Sequence, residues 1–189
     1  MKRMFALLLA LAMIFTLGAC GSKKLDPKVL TDAMNDFAKD PSAKTFGTVL
    51  GGTLAGDEVT GYLKCMLDIS GMSEDDLIGS LAGELEDTSY TQKEAKEIAE
   101  EDLAEYQEKL DDMVQDVKDQ LQEVEDQKDL LDEDDYNALH DALEALVKAL
   151  DGAKIDGGFT VTIDNGEEEE DVCVFSVDGK WFSEALFEF

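Results

Sequence analysis

The chain has 189 residues, of which 45 are acidic and 16 are basic, so its formal net charge at pH 7 is -29. A charge of that size and sign disfavours binding to nucleic acid and to anionic membrane surfaces, because both are polyanions. The length is sufficient for one domain with an apolar core, and 44% of the residues are hydrophobic. We therefore expect a folded, strongly acidic protein with no nucleic-acid partner.

Residues 1–19 have the composition of a secretory signal peptide: Lys2 and Arg3 precede an apolar stretch over 4–16, which is well short of the ~20 residues that span a bilayer. The stretch ends in Leu17-Gly18-Ala19-Cys20, which resembles the lipobox of small bacterial lipoproteins of the Gram-positive type. The resemblance implies cleavage before Cys20, lipid (palmitate among its acyl chains) on the Cys20 sulfur, and a protein held by that lipid on the extracytoplasmic face of the cell membrane. An ordinary signal peptide with a cysteine nearby is the alternative.

Cleavage would leave residues 20–26 as a short tether and residues 27–189 as a single domain. It would also remove Lys2 and Arg3, so that 14 basic residues face 45 acidic ones and the formal charge becomes -31. The membrane contact of this protein is therefore expected to come from the lipid rather than from the protein surface.

Helical patterns follow one another from residue 27 to residue 90. Asp26-Pro27 starts a first helix that runs to about Lys39, and a second amphipathic helix runs from Glu58 to about Ile69. The stretch between them allows helix or loop, and its glycines recur at four-residue spacing, which lets helix backbones approach closely: Gly47, Gly51, Gly52 and Gly56. Ser73 and Asp76 then cap the start of a short helix, whose apolar residues are Leu77, Ile78, Leu81 and Leu85.

Thr91-Gln92-Lys93-Glu94 has the form of a capping box, and nothing that breaks a helix follows until beyond Leu131. The pattern predicts a helix of roughly 40 residues and about 60 Å. An apolar stripe runs along it at seven-residue spacing: Leu103, Leu110, Val117 and Val124. The stripe either packs inside its own domain or mediates self-association. The oligomeric state stays open, because a coiled coil needs a second row of apolar residues beside the stripe and Gln120 and Gln127 interrupt that row.

A further helix starts at residues 132–135 and is stopped by Asp151-Gly152. The period then changes from helical to two, which predicts a strand from Phe159 to Ile163 and another from Val172 to Val177. A two-residue turn at Asn165-Gly166 would set Asp164 against Glu167, so we expect a longer acidic loop over 164–171. Asp178-Gly179 makes a tight turn into a third strand, which places Phe182 opposite Phe175 and Trp181 opposite Ser176.

Beyond the lipobox, the chain contains Cys65 and Cys173. In an exported protein these two either form a disulfide or remain free thiols, and both lie in apolar runs that predict burial. The only histidine is His140, and no nucleophile motif or zinc-ligand spacing accompanies it. We expect no enzymatic activity, no cofactor and no metal site.

The C-terminal strands and Val177-Asp178-Gly179-Lys180-Trp181-Phe182 resemble, over about 30 residues, the end of cystatin-like and nuclear-transport-factor-2-like domains of small bacterial lipoproteins. The resemblance implies an antiparallel sheet around helices. We predict an α+β fold with helices over 27–150 and a small antiparallel sheet over 159–187. The expected function is non-enzymatic binding of an envelope protein or small ligand between helices and sheet. The alternatives are a structural envelope protein that oligomerises through the long helix and a carboxylate-based hydrolase.

Overall fold

The computed structural model describes residues 25–76, 78 and 88–188. Residues 1–19 and the lipobox residue Cys20 lie outside this part of the chain. The fold is α+β, as predicted, and combines helices with a four-stranded antiparallel sheet of order β1-β2-β3-β4. The helices are α1 (Val29–Lys39), α2 (Ala43–Ser70), α3 (Glu100–Asp126) and α4 (Glu133–Leu150). The strands are β1 (Thr91–Glu97), β2 (Gly157–Asp164), β3 (Glu169–Val177) and β4 (Lys180–Ser183).

The sheet buries side chains on both faces, because successive residues of a strand point to opposite sides. On one face, Phe175 and Phe182 pack with apolar residues of α2, α3 and α4. On the other face, Val174 and Trp181 pack with Leu30 and other residues of α1. The helices therefore cover both faces of the sheet, and α1 with Val49 of α2 covers the face of Val174 and Trp181.

Helix α2 is divided by a sharp break at Gly52, whose backbone angles are φ 54° and ψ -134°. The two halves pack closely: a methyl group added at Gly47 would lie 2.7 Å from the Gly56 carbonyl oxygen. The small residues at Gly47 and Gly56 therefore let the two halves of α2 pack closely against each other. The break also brings α2 against β4, where the Trp181 amide donates to Thr53 Oγ1 at 3.1 Å and Ser183 Oγ donates to the Val49 carbonyl at 2.8 Å.

The predicted helix start at Thr91 is wrong, because residues 91–97 form strand β1. This segment pairs with the otherwise open edge of β2, so that Ala95 lies opposite Val161 on the face covered by α1. Helix α3 begins only at Glu100 and has 27 residues, about 40 Å rather than 60 Å. The sheet consequently has a fourth strand inside the region that was predicted to be helical.

The remaining strands follow the sequence prediction closely. Phe175 lies opposite Phe182 and Ser176 opposite Trp181, as expected. As expected, β2 and β3 are not joined by a two-residue turn. The acidic loop is nevertheless shorter than the predicted 164–171, because β3 already begins at Glu169, opposite Asp164. Lys93 of β1 compensates the resulting pair of like charges, since its Nζ lies 2.7 Å from the Asp164 carboxylate.

The short helix predicted from Ser73 is only partly described. Ser73 Oγ accepts a hydrogen bond from the Asp76 amide at 3.1 Å, which is the expected cap. Ile78 is buried, whereas Leu77, Leu81 and Leu85 lie outside the described residues.

Candidate functional site

The apolar stripe of α3 faces the interior of the protein for most of its length. Leu110 is fully buried in the cluster that contains Phe175, and Leu103 and Val117 are partly buried against the same cluster. Val124, nearer the end of the helix, is partly buried in the wall of a groove between α2, α3 and α4. The structure thus has the intramolecular packing that was one of the two interpretations of the stripe.

Cys65 and Cys173 are both buried and are not bonded to each other, so the structure has the free-thiol alternative rather than a Cys65–Cys173 disulfide. Cys173 lies on β3, with its Sγ 3.5 Å from the Tyr106 hydroxyl and 3.7 Å from Thr160 Oγ1. Burial raises the pKa of the Cys173 thiol, and burial together with the nearby Asp68 carboxylate raises the pKa of Cys65. A thiol whose pKa is raised is a poor nucleophile at neutral pH.

His140 lies on α4, where its Nε2 is 3.5 Å from the Glu125 carboxylate of α3. Its ring also lies 5.6 Å from that of Tyr136. With Asp141 and Glu144 it places ligand atoms within 4.8 Å of one another. Both carboxylates are on the exposed surface of an acidic helix, where such groupings arise without an ion, so this cluster gives no basis for a metal centre.

An open cleft of about 650 Å³ lies at the end of the sheet where β1 ends and β2 begins. We refer to it as the sheet-end cleft. The N-terminal turns of α3 form one wall, the connection between α4 and β2 forms the other, and Leu25 contributes from the side covered by α1. Its lining comprises Leu25, Glu97, Ile98, Glu100, Leu103, Ala104, Gln107, Lys154, Ile155, Asp156, Gly157, Gly158, Phe159 and Ser176.

Gln107 joins the two walls of the sheet-end cleft. Its side-chain Nε2 donates to the Ala153 carbonyl at 3.1 Å, and its Oε1 accepts from the Ile155 amide at 2.9 Å. Further along, the Asp156 carboxylate accepts hydrogen bonds from Ser176 Oγ and from the Asp178 amide. These bonds fix the α4–β2 connection against both α3 and β3, so the cleft is formed before any ligand arrives.

The floor of the sheet-end cleft depends on Gly158. A methyl group there would lie 2.8 Å from the Val174 carbonyl oxygen and 3.1 Å from both Ile98 Cδ1 and a ring carbon of Phe175. The Ile98 amide also donates to the Gly158 carbonyl at 3.0 Å, which extends the β1–β2 pairing to the cleft. The absence of a side chain at Gly158 therefore allows β2 to lie this close to its neighbours.

The cleft offers apolar contact with a few polar groups around it, which is the composition of a binding site. Leu103, Ile155 and Phe159 supply apolar surface, whereas Glu97, Glu100, Lys154 and Asp156 supply charge. The described lining includes no histidine or cysteine, and its serine donates to the Asp156 carboxylate. The arrangement suits binding of a compact ligand that carries an apolar part.

Sequence reasoning predicted a cleft between helices and sheet but missed the residues that build it. Ile98 and Gly158 belong to a β1–β2 pairing that the helix prediction at Thr91 excluded. Gln107 carries no signal of its own in the sequence, because a polar residue on an acidic helix is ordinary. The one sequence feature that indicates this site is the pair Gly157-Gly158. The hydrophobic period changes there, and glycine in a strand often marks a place where a neighbouring backbone approaches closely.

A comparison of the chain with known protein families, with curated proteins and with solved structures found no match. Function must therefore be inferred from the chain's own residues. Among the residues that the structure describes, no helix is both long enough and apolar enough to cross a membrane.

Proposed function

We propose that this protein is a lipid-anchored, extracytoplasmic binding protein without enzymatic activity, and that it holds a small amphiphilic ligand in the sheet-end cleft. The observation that carries the proposal is the cleft itself. Its volume of about 650 Å³ is within the range of small-molecule sites, roughly 300–1,000 Å³. Its walls are held by hydrogen bonds of Gln107 and Asp156.

The position of Leu25 supports a connection between the anchor and the cleft. Leu25 lines the cleft and lies five residues after Cys20, the expected site of the lipid. Five residues of chain reach at most about 18 Å. A lipid on Cys20 would therefore hold the cleft close to the membrane surface, where amphiphilic molecules of the envelope are concentrated.

The charges of the cleft favour a ligand whose polar part is neutral or positive. Glu97, Glu100 and Asp156 contribute three carboxylates, against the single ammonium group of Lys154. The apolar part of the ligand would contact Leu103 and Phe159. An anionic ligand would meet an unfavourable potential from this lining and from the chain as a whole.

The anchor is tested by metabolic labelling with a clickable fatty acid in a bacterial host that processes lipoproteins. The native chain should carry the label and fractionate with membranes. The Cys20→Ala variant should remain unlabelled and keep residues 1–19. Normal labelling of the Cys20→Ala variant would refute the assignment of the anchor.

Ligand binding is tested with Nile red, a neutral apolar dye, on the mature chain carrying Cys20→Ala so that no lipid competes. Ala104→Phe would place a ring in the cleft and should weaken dye binding at least tenfold. Ala138→Phe is the matched control, because Ala138 is also an exposed helical alanine but lines neither described cavity. Equal weakening by both variants, or by neither, would count against the cleft.

The alternative of a structural protein that oligomerises through α3 has less support, because Leu110 is fully buried in the protein's own core. A carboxylate-based hydrolase would need two acids in the cleft with clearly separated pKa values. Binding of a small ligand therefore has more support from the lining of the sheet-end cleft than oligomerisation through α3 or hydrolysis.

A further inference from the structure

A second cavity lies at the opposite end of α3 from the sheet-end cleft. It is a groove of about 250 Å³ between α2, α3 and α4, which we call the three-helix groove. It is lined by Tyr62, Met66, Gln120, Glu123, Val124, Gln127, Leu131, Leu139 and Leu143. The two cavities share no residue, and from Leu103 to Val124 the helix extends about 30 Å. An inference about the groove is therefore independent of the function proposed for the cleft.

Apolar side chains dominate the groove and its surroundings. Leu139 and Leu143 of α4 and Val124 of α3 all line it. Met66 lines it with 41% of its surface exposed, and Leu130, next to the lining residue Leu131, is 80% exposed. Exposed methionine and leucine beside an apolar groove are typical of surfaces that receive a partner.

The size of the groove indicates what kind of partner fits. Its volume of about 250 Å³ is below the roughly 300–1,000 Å³ of small-molecule sites. It suits one or two anchoring side chains of a larger molecule, as when an amphipathic helix places residues i and i+3 or i+4 in a groove. The length of the helical walls is compatible with a helical segment lying along them.

The charge around the groove indicates which segment that would be. Residues 119–135 supply five of the nine lining residues and contain nine carboxylates and one lysine, Lys128. Glu123 lies in the groove wall itself. A basic segment would be attracted, whereas a second copy of this chain, with a formal charge of -29 before processing, and an anionic membrane would both be repelled.

We propose that the three-helix groove docks a basic amphipathic helix of a partner protein. Apolar side chains from one face of that helix enter the groove between Met66 and Leu139. Lysine and arginine side chains on its flanks lie over the carboxylates of residues 119–135. Binding of this kind weakens as salt concentration rises, because the charged contacts lie at the surface.

The test uses a fluorescein-labelled 18-residue peptide of leucine and lysine with leucine at helical spacing, and the mature chain carrying Cys20→Ala. Fluorescence anisotropy measures binding. A peptide of the same composition in scrambled order, which cannot present an apolar face, should bind at least tenfold more weakly. Equal binding of the two peptides would overturn the proposal, since charge alone would then explain the affinity.

Two matched pairs of variants locate the site. Met66→Lys should weaken binding of the amphipathic peptide at least tenfold. Met72→Lys, at a methionine of similar exposure (49% against 41%) outside the lining, should change it less than twofold. Glu123→Lys should weaken binding more than Glu108→Lys, an exposed residue of the same helix that lines neither cavity.

Circular dichroism checks that each variant is folded. If Met66→Lys unfolds the chain, the comparison of the two surface glutamates decides. Equal effects within the decisive pair would overturn the proposal. So would sedimentation that shows a dimer of the native chain which Glu123→Lys disrupts, because the groove would then be occupied by a second copy.

Discussion

The break in α2 requires glycine at residue 52, and Gly52→Ala tests this requirement. The backbone angles of Gly52, φ 54° and ψ -134°, are the mirror image of extended backbone and are available at low energy only to glycine. The added methyl group would also overlap the Trp181 carbonyl oxygen and lie 2.5 Å from an indole carbon of that residue. Alanine is therefore opposed both by its own backbone and by β4.

The size of the effect follows from these two contributions. Holding a non-glycine residue in a sparsely populated backbone region costs about 1–3 kcal/mol. Forcing an extra carbon into a packed core costs about another 1–3 kcal/mol. The total of about 2–6 kcal/mol is a large fraction of the ~5–15 kcal/mol by which a domain is stable. We expect Gly52→Ala to remove much of the stability of the fold.

Urea unfolding of the mature chain with Cys20→Ala, followed by circular dichroism and by Trp181 fluorescence, measures this loss. Gly61→Ala is the matched control, because Gly61 is in the same helix and nothing lies within 4 Å of a methyl group there. It should stabilise the chain by roughly 0.5–1 kcal/mol. A loss below about 1 kcal/mol for Gly52→Ala would refute the requirement for glycine at the break.

Three further outcomes can be measured on the same protein. The two described cysteines should react slowly with Ellman's reagent at pH 8 in the folded protein, because burial raises the pKa of both thiols. Both should react after unfolding without reductant. If neither thiol reacts with the reagent after unfolding, the two cysteines form a disulfide. Lys93→Met removes the ion pair that lowers the pKa of Asp164. The variant should therefore have its full loss of unfolding free energy, relative to the native chain, at pH values above the ordinary carboxyl pKa of about 3.9. That loss should vanish as pH falls through the lowered folded-state pKa of Asp164. Melting temperatures of variant and native chain that stay equally far apart down to pH 2 would contradict this. Leu110→Ala should cost about 2–5 kcal/mol, whereas Leu130→Ala, at a residue that is 80% exposed, should change stability by less than about 0.5 kcal/mol. A small effect of Leu110→Ala in urea unfolding would mean that Leu110 is not core.

The parts of the fold that could be predicted are those where one physical signal dominates. Helix α4 has a continuous apolar face between an acidic start and a glycine stop, and β3 with β4 has alternating apolar residues around Asp178-Gly179. In these elements local preference and tertiary packing agree, so the sequence pattern is sufficient. The opposing pairs Phe175–Phe182 and Ser176–Trp181 followed directly from the two-residue turn.

Strand β1 could not be predicted, because local and tertiary preferences conflict there. Thr91-Gln92-Lys93-Glu94-Ala95-Lys96-Glu97 consists mostly of good helix formers, which are poor in strands. Pairing with the open edge of β2 outweighs that preference, and Ala95 is its main apolar contribution to the face covered by α1. The sheet-end cleft was missed for the same reason, since Ile98 reaches Gly158 only through this pairing.

The way in which the two apolar clusters are assembled determines when the chain can fold. Each contains side chains from beyond residue 157: Phe182 and Leu186 complete one, and Val174 and Trp181 complete the other. Helices α1 and α2 therefore have no finished core to join while the C-terminal strands are still being made, and contacts between distant parts of a chain form slowly. If the chain is exported by the proposed route, its C-terminal strands must cross the membrane before either cluster can be completed.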